Sequence, residues 1–114
     1  MNLDRGLVGG SAALLVLSLL AEKERYGYEL IRVLEERSDQ TFQFKEGSLY
    51  PVLHRLENSG FVTSYFSESE RGKKRKYYKV TPRGLERLHQ EKEQWKVFTT
   101  SVNKVIGGEA YAPV

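Results

Sequence analysis

Thiols are missing from this sequence, and imidazoles are scarce. The chain of 114 residues has no cysteine, and its two histidines are His54 and His89. It therefore forms no disulfide scaffold and no thiolate metal site, and a zinc site would need carboxylate ligands. We expect no bound metal, and this cysteine usage fits a cytoplasmic protein. The length is that of one domain, which buries a modest core without such cross-links.

Long hydrophobic runs are also lacking. The longest apolar stretch, "LVGGSAALLVLSLLA" at residues 7 to 21, includes two glycines and two serines. It is too short for a membrane helix, which needs roughly 20 apolar residues. It offers no signal-peptide cleavage site either, because "LLA" has leucine where an Ala-x-Ala pattern needs a small residue. The stretch instead predicts a buried helix from an N-cap at Ser11 to about Glu22, and we expect no membrane partner.

Catalytic motifs are a third absence. The sequence has no phosphate-binding loop, no GxGxxG turn and no pair of metal ligands at positions i and i+4. The basic run after Gly72 lacks a second glycine at phosphate-loop spacing. Because no set of residues suits a catalytic pocket, we expect neither an enzyme nor a cofactor.

Acidic residues are absent from one window, and this window holds the positive charge. Residues 71 to 83 carry +7, whereas the whole chain carries +3 and the remainder therefore −4. The cations of the window are Arg71, Lys73, Lys74, Arg75, Lys76, Lys79 and Arg83. Basicity confined to one segment indicates a positioned contact with a polyanion.

Two further helical patterns follow the first helix. "YGYELIRVLEERS" is amphipathic and is expected to end near Ser38 and Asp39. "SLYPVLHRLENSG" has apolar residues at helical spacing, and its Asn and Gly predict its end. Because Pro51 has no N–H and fits only a first turn, this third helix is expected to begin around Glu46 to Ser48.

Two alternating segments then predict a hairpin. "FVTSYFSES" and "RKYYKVT" are rich in aromatic and β-branched residues, and Gly72 lies in the turn between them. Alternation puts Tyr78 and Tyr77 on opposite faces, so one tyrosine should be in the core and the other half exposed. Thr81 as N-cap and Pro82 in the first turn predict a long last helix, to about Gly107.

The resulting fold class is mainly α with a small β-hairpin. Three helices followed by a basic hairpin are the order of a winged helix-turn-helix, whose third helix enters the major groove while the hairpin reaches along the DNA backbone. We assign residues 1 to 80 to this DNA-binding domain, 81 to 107 to a C-terminal dimerisation helix and 108 to 114 to a flexible tail. The residues predicted to contact double-stranded DNA are Ser48, Tyr50, Pro51, His54, Arg55, Lys73, Lys74 and Arg75.

These residues also fit plainer roles. His54 and Arg55 are compatible with a solvated helix face, and Tyr50 with partial packing. The alternative function is a winged helix that binds protein, without specific DNA binding. Such a module gives no reason to concentrate positive charge on the hairpin.

The last helix carries an apolar stripe. Its residues at alternating spacings of 3 and 4 are Leu85, Leu88, Lys92, Trp95, Thr99, Val102 and Ile106. This heptad pattern predicts pairing with a second copy through Leu85, Leu88, Trp95, Val102 and Ile106. Trp95 and Phe98 lie on or beside the stripe, and they are either interface core or a flat apolar platform for a planar ligand.

Three segments resemble the PadR family of bacterial transcriptional regulators. They are "YGYELIRVLEE", "GSLYPVLHRLENSGFV" and "GKKRKYYKVTPRG", and the resemblance covers residues 11 to 106. It implies a homodimeric winged-helix repressor on a near-palindromic operator. The recognition helix would begin at Ser48 and Tyr50, and Lys73, Lys74 and Arg75 would form the wing tip.

The resemblance extends to the last helix. Short members of the family have a single C-terminal helix for dimerisation, which fits the length of this chain. Some of them are similar to multidrug-sensing repressors, with a tryptophan on that helix facing its twin across a central pore. On this chain, the resemblance implies that Trp95 and Phe98 bind a small aromatic or drug-like ligand that releases the repressor.

Overall fold

The computed structural model describes residues 5 to 68 and 71 to 107, with side chains from residue 10 onward. Within these residues the chain forms four helices and a three-stranded antiparallel sheet. In chain order, the elements are α1 (Arg5–Glu22), β1 (Arg25–Tyr26), α2 (Gly27–Arg37), α3 (Glu46–Asn58), β2 (Val62–Glu68), β3 (Lys74–Val80) and α4 (Pro82–Val105). This order confirms the predicted fold class. The tail predicted for residues 108 to 114 lies outside the described residues.

The first helix is longer than its sequence indicates. It begins at Arg5, so Ser11 lies inside the helix, and the prediction of an N-cap there is wrong. The glycines at positions 9 and 10 do not interrupt it, because a helical glycine costs only about 1 kcal/mol. Burial of the following turns, with Val16 and Leu17 fully enclosed by the neighbouring elements, offsets that cost.

One apolar core joins the helices to the sheet. Leu17 of α1, Leu30 of α2 and Leu53 of α3 are fully buried, and Tyr78 of β3 and Leu88 of α4 pack in the same cluster. Because the core holds α3 by its apolar face, the opposite face of that helix is left outside.

The sheet contains one strand that the sequence does not reveal. Strand β1 has two residues, and the strand order is β1–β3–β2. Arg25 lies opposite Tyr78, and Tyr26 lies opposite Tyr77. A strand of two residues has no alternation to detect. The predicted alternation within β3 is confirmed, since Tyr78 is 4% exposed and Tyr77 is half-buried.

Helix α4 begins where the sequence predicts. The Thr81 hydroxyl accepts a hydrogen bond from the Gly84 amide at 3.0 Å and donates one to the Gly60 carbonyl at 2.7 Å. Gly84 is required for close packing, because a Cβ there would lie 2.0 Å from the carbonyl oxygen of Phe61. Gly107, with φ of 84°, follows the end of the helix in the left-handed conformation that favours glycine.

Candidate nucleic-acid interface

The outer face of α3 collects most of the residues predicted to read DNA. The buried face consists of Leu49, Val52, Leu53 and Leu56. Ser48, Pro51, His54 and Arg55 are all exposed, and helical spacing places them together on the opposite side. The helix therefore presents one polar face that is free of core packing.

Ser48 has a local role at the start of α3. Its hydroxyl accepts a hydrogen bond from the Lys45 amide and donates one to the Lys45 carbonyl, both at 3.0 Å. These bonds satisfy backbone groups at the beginning of the helix. Ser48 thus fixes the first turn of the predicted recognition helix.

Tyr50 is partly packed. Its ring lies against Gly27, where a Cβ would come within 2.5 Å of the ring carbon Cε1. Burial, followed by the nearby charge of Glu46, raises the pKa of the Tyr50 hydroxyl. Because Gly27 has no side chain, α2 can approach the Tyr50 ring closely.

Two cations of the hairpin are paired within the subunit. We call β2, β3 and the turn between them the wing. Lys76 Nζ lies 3.9 Å from a carboxylate oxygen of Glu57, and Lys79 Nζ lies 4.0 Å from one of Glu24. The charge available to a partner is therefore smaller than the sequence count of +7.

Three other wing cations differ from Lys76 and Lys79. Within residues 5 to 68 and 71 to 107, no carboxylate lies within salt-bridge distance of Arg71, Lys74 or Arg75. Lys73 is exposed in the turn, and Lys74 is exposed at the start of β3. Arg75 departs from the prediction, because it lies within β3 and is half-buried, with its guanidinium carbon 4.5 Å from the centre of the Tyr26 ring.

The last helix leaves large apolar side chains exposed. Trp95 is 45% exposed. The other large apolar residues that are exposed on this helix or at its end are Leu85, Val97, Phe98, Val105 and Ile106. Val102 is half-buried. Leu88, predicted for the dimer interface, is only 6% exposed and packs in the subunit's own core. Its heptad position does not reveal this, because periodicity does not say which partner covers a stripe.

A cleft of about 450 Å³ lies between α1 and the middle of α4. The residues lining it are Gly10, Ser11, Leu14, Glu91, Gln94, Trp95 and Phe98. The rings of Trp95 and Phe98 are 6.0 Å apart, with planes at 32°. The cleft contains both residues predicted to bind a ligand and adds a wall from α1, which sequence spacing alone could not place there.

Comparison with known proteins identifies the family. The model of the transcriptional regulator PadR-like family matches residues 16–90. The chain belongs to the PadR family. It is therefore a transcriptional regulator, and this family consists of regulators that are not enzymes.

Individual proteins are also similar to this chain. An uncharacterized protein of Lysinibacillus sphaericus is 36% identical over 89 residues, which cover 78% of this chain and 82% of that protein. The negative transcriptional regulator PadR of Bacillus subtilis is 33% identical over 76 residues, covering 65% of this chain but only 41% of the longer relative. A transcriptional regulator from Clostridium thermocellum has the same fold, with a TM-score of 0.81, 33% identity and coverage of 87% of this chain and 96% of that one.

Across residues 5 to 68 and 71 to 107, none of the helices has the length and apolar character needed to span a membrane. Over the same ranges, no group of three or more metal-binding side chains is placed to hold an ion.

Proposed function

We propose that this PadR family member is a homodimeric repressor that binds a near-palindromic operator and acts in the cytoplasm. The observation that carries the proposal is the exposed face of α3 together with two wing cations, Lys74 and Arg75, that have no carboxylate within salt-bridge distance in the described residues. Ser48, Tyr50, Pro51, His54 and Arg55 supply the helix that enters the major groove, where base edges are read. Lys73, Lys74 and Arg75 supply contacts to phosphates. The name of the Bacillus subtilis relative supports negative regulation.

Dimerisation through α4 completes the proposal. The helix exposes Trp95, Phe98, Val105 and Ile106 to solvent in the single subunit. Soluble monomers seldom leave so many large apolar side chains on one helix, and a second copy would cover them. Two subunits related by a twofold axis would present two α3 helices to the two half-sites of the operator.

A planar aromatic or drug-like ligand is proposed to bind between the helices. The cleft offers the Trp95 and Phe98 rings as its apolar wall. Flat rings favour stacking against these two side chains, and the faces of such rings also attract cations. Binding there would release the protein from its operator because it alters the packing between the two subunits.

Duplex binding as a function of salt tests the DNA contact. With four phosphate contacts per subunit, the logarithm of affinity should fall with a slope of about −7 against the logarithm of salt concentration, at roughly −0.9 per contact. Selection from a random pool should enrich a sequence with twofold symmetry. A slope shallower than about −3 would exclude the wing as a phosphate-binding element and favour a protein-binding module.

The oligomer and the ligand are tested separately. Val102→Glu should dissociate the dimer in sedimentation, whereas Val97→Glu, elsewhere around the same helix, should leave it intact. Titration with a panel of planar dyes should quench Trp95 fluorescence and release bound duplex. Unchanged emission across the panel would overturn the ligand site while leaving the DNA-binding proposal in place.

A further inference from the structure

Three tyrosines form a row across the three strands of the sheet. Tyr26 of β1 lies opposite Tyr77 of β3, and Tyr65 of β2 lies opposite Tyr77 on the other side. The Tyr26 and Tyr77 rings are 5.5 Å apart and meet edge to face at 70°, and the Tyr77 and Tyr65 rings are stacked at 5.7 Å and 16°. These separations are those of interacting aromatic pairs. We call these residues the tyrosine row.

Both ends of the tyrosine row are attached to charged groups. At one end the Tyr65 hydroxyl donates a hydrogen bond to the Glu24 carboxylate. At the other end the Arg75 guanidinium lies over the Tyr26 ring at 4.5 Å, within the range of a cation–π contact. Since Glu24 immediately precedes β1, the row joins both strands of the wing to the segment that enters the helix-turn-helix.

The Arg75 guanidinium is held by the Tyr26 ring, but no carboxylate in the described residues neutralises its charge. Lys76 and Lys79, its neighbours on the same strand, each lie within 4.0 Å of a carboxylate. Across the described ranges no carboxylate is within that distance of Arg75. The N–H donors of a guanidinium lie in one plane in a fixed fork, which can bind two phosphate oxygens at once.

We propose that Tyr26 is a positioning residue that holds the Arg75 guanidinium in place for a phosphate contact before DNA binds. Prior ordering of a long side chain lowers the entropy lost on binding, so the contact becomes stronger without any added charge. The inference rests on the proposed DNA-binding function. It goes further by assigning Tyr26, the first residue of the "YGYELIRVLEE" segment, to the affinity of a cation on another strand.

A double-mutant cycle tests this coupling. Binding of a fluorescent random-sequence duplex is measured by anisotropy at several salt concentrations for wild type, Arg75→Ala, Tyr26→Leu and the double variant. We expect Arg75→Ala to weaken binding about tenfold and to make the salt slope shallower by about 1.8, one contact per subunit. Tyr26→Leu should weaken binding about threefold in the wild-type background but not in the Arg75→Ala background. The same factor in both backgrounds would overturn the positioning role.

Conservative variants separate positioning from folding. Tyr26→Phe keeps the ring and should bind like wild type, whereas Arg75→Lys keeps the charge, loses the planar stack and should bind about threefold more weakly. Arg75→Lys tests the inference independently of Tyr26→Leu. If Arg75→Lys binds the duplex as tightly as wild type, the inference fails, whether or not Tyr26→Leu folds. In the free protein, the proton shifts of the Arg75 side chain should show the ring current of Tyr26, retained in Tyr26→Phe. If the Arg75 protons show no ring-current shift in the free protein, the inference is also overturned.

Lys74→Ala distinguishes failure of the inference from failure of the proposed function. Lys74 is exposed and lies outside the tyrosine row. If wild type binds the duplex and Lys74→Ala weakens it while Arg75→Ala does not, only the inference is overturned. If wild type leaves the duplex free, the DNA-binding proposal is overturned, and this inference with it.

Discussion

Two regions of the molecule are rich in arginine and lysine, and they treat that charge in opposite ways. At the junction of α1 and α2, the Arg25 guanidinium is buried and donates to Glu22 at 2.8 Å and to the Leu19 carbonyl at 3.2 Å, with Glu29 at 3.5 Å. In the wing, Arg71 and Lys74 are exposed, and within the described residues no carboxylate lies within 4.0 Å of either. The junction charges hold elements together, whereas the wing charges remain available to an external anion.

The negative charge of Glu22, at the centre of the junction, is strongly stabilised by neighbouring arginines. Arg37 donates two hydrogen bonds of 2.6 Å to Glu22. These bonds, with a further contribution from Arg25, lower the pKa of Glu22 to about 2. Such bidentate pairs combine charge with directional hydrogen bonds. The comparison teaches that position in the fold, and not the number of basic residues, decides whether a cation is structural.

The largest expected effect concerns the wing. Arg71→Ala with Lys74→Ala should weaken duplex binding about a hundredfold, because a dimer then loses four phosphate contacts and their counterion release. The salt slope should become shallower by about 3.6, while the melting temperature stays unchanged. Anisotropy titrations and thermal unfolding measure these quantities. Lys79→Ala is the matched control, because its charge is paired with Glu24, and an equal loss there would break the contrast within the wing.

Arg25→Met should have the next largest effect, on stability instead of DNA contacts. We expect the free energy of unfolding to fall by about 2 kcal/mol, because hydrogen bonds to a charged group contribute roughly 1.5–3 kcal/mol. Urea unfolding measures the change. Arg32→Met removes an exposed pair with Glu36 at 3.4 Å and should change stability by less than about 0.5 kcal/mol. A shallower salt slope for Arg25→Met would contradict the division of roles.

A smaller effect is expected from a substitution that makes a paired wing cation available to DNA. Glu57→Gln removes the carboxylate beside Lys76, and random duplex binding should tighten about twofold because one anion is lost and one cation is released. The salt slope should become steeper. Glu93→Gln on α4 is the control for the change in net charge alone. Equal affinity for the Glu57→Gln variant and the wild type would show that Lys76 does not reach DNA.

The smallest expected effect is on the pH dependence of stability. The pKa of Glu22 is lowered from 4.5 to about 2, so its stabilising contribution is complete above pH 4.5 and is lost as the pH falls through about 2. Glu22→Gln should therefore lower the melting temperature at pH 7, and the difference from wild type should vanish towards pH 2. Glu36→Gln is the control. A difference that persists at pH 2 would contradict the assignment.

Apart from the N-cap expected at Ser11, local features could be predicted from the sequence, and features that join distant segments could not. The Thr81 cap, the α3 boundaries and the opposite faces of Tyr77 and Tyr78 depend on neighbouring residues. Strand β1 depends on the location of β3, and the burial of Leu88 depends on the subunit core. Periodicity identifies an apolar stripe but does not say what packs against it.

The distribution of charge, the Thr81 cap of α4 and the opposite faces of Tyr77 and Tyr78 follow from the sequence alone. Those properties follow from backbone geometry over a few residues. Which wing cations are neutralised depends on the folded arrangement of the chain. Glu24 and Glu57 come from other segments of the chain to neutralise Lys79 and Lys76. Ion pairing depends on distance in space, which sequence separation does not give, because the core sets that distance.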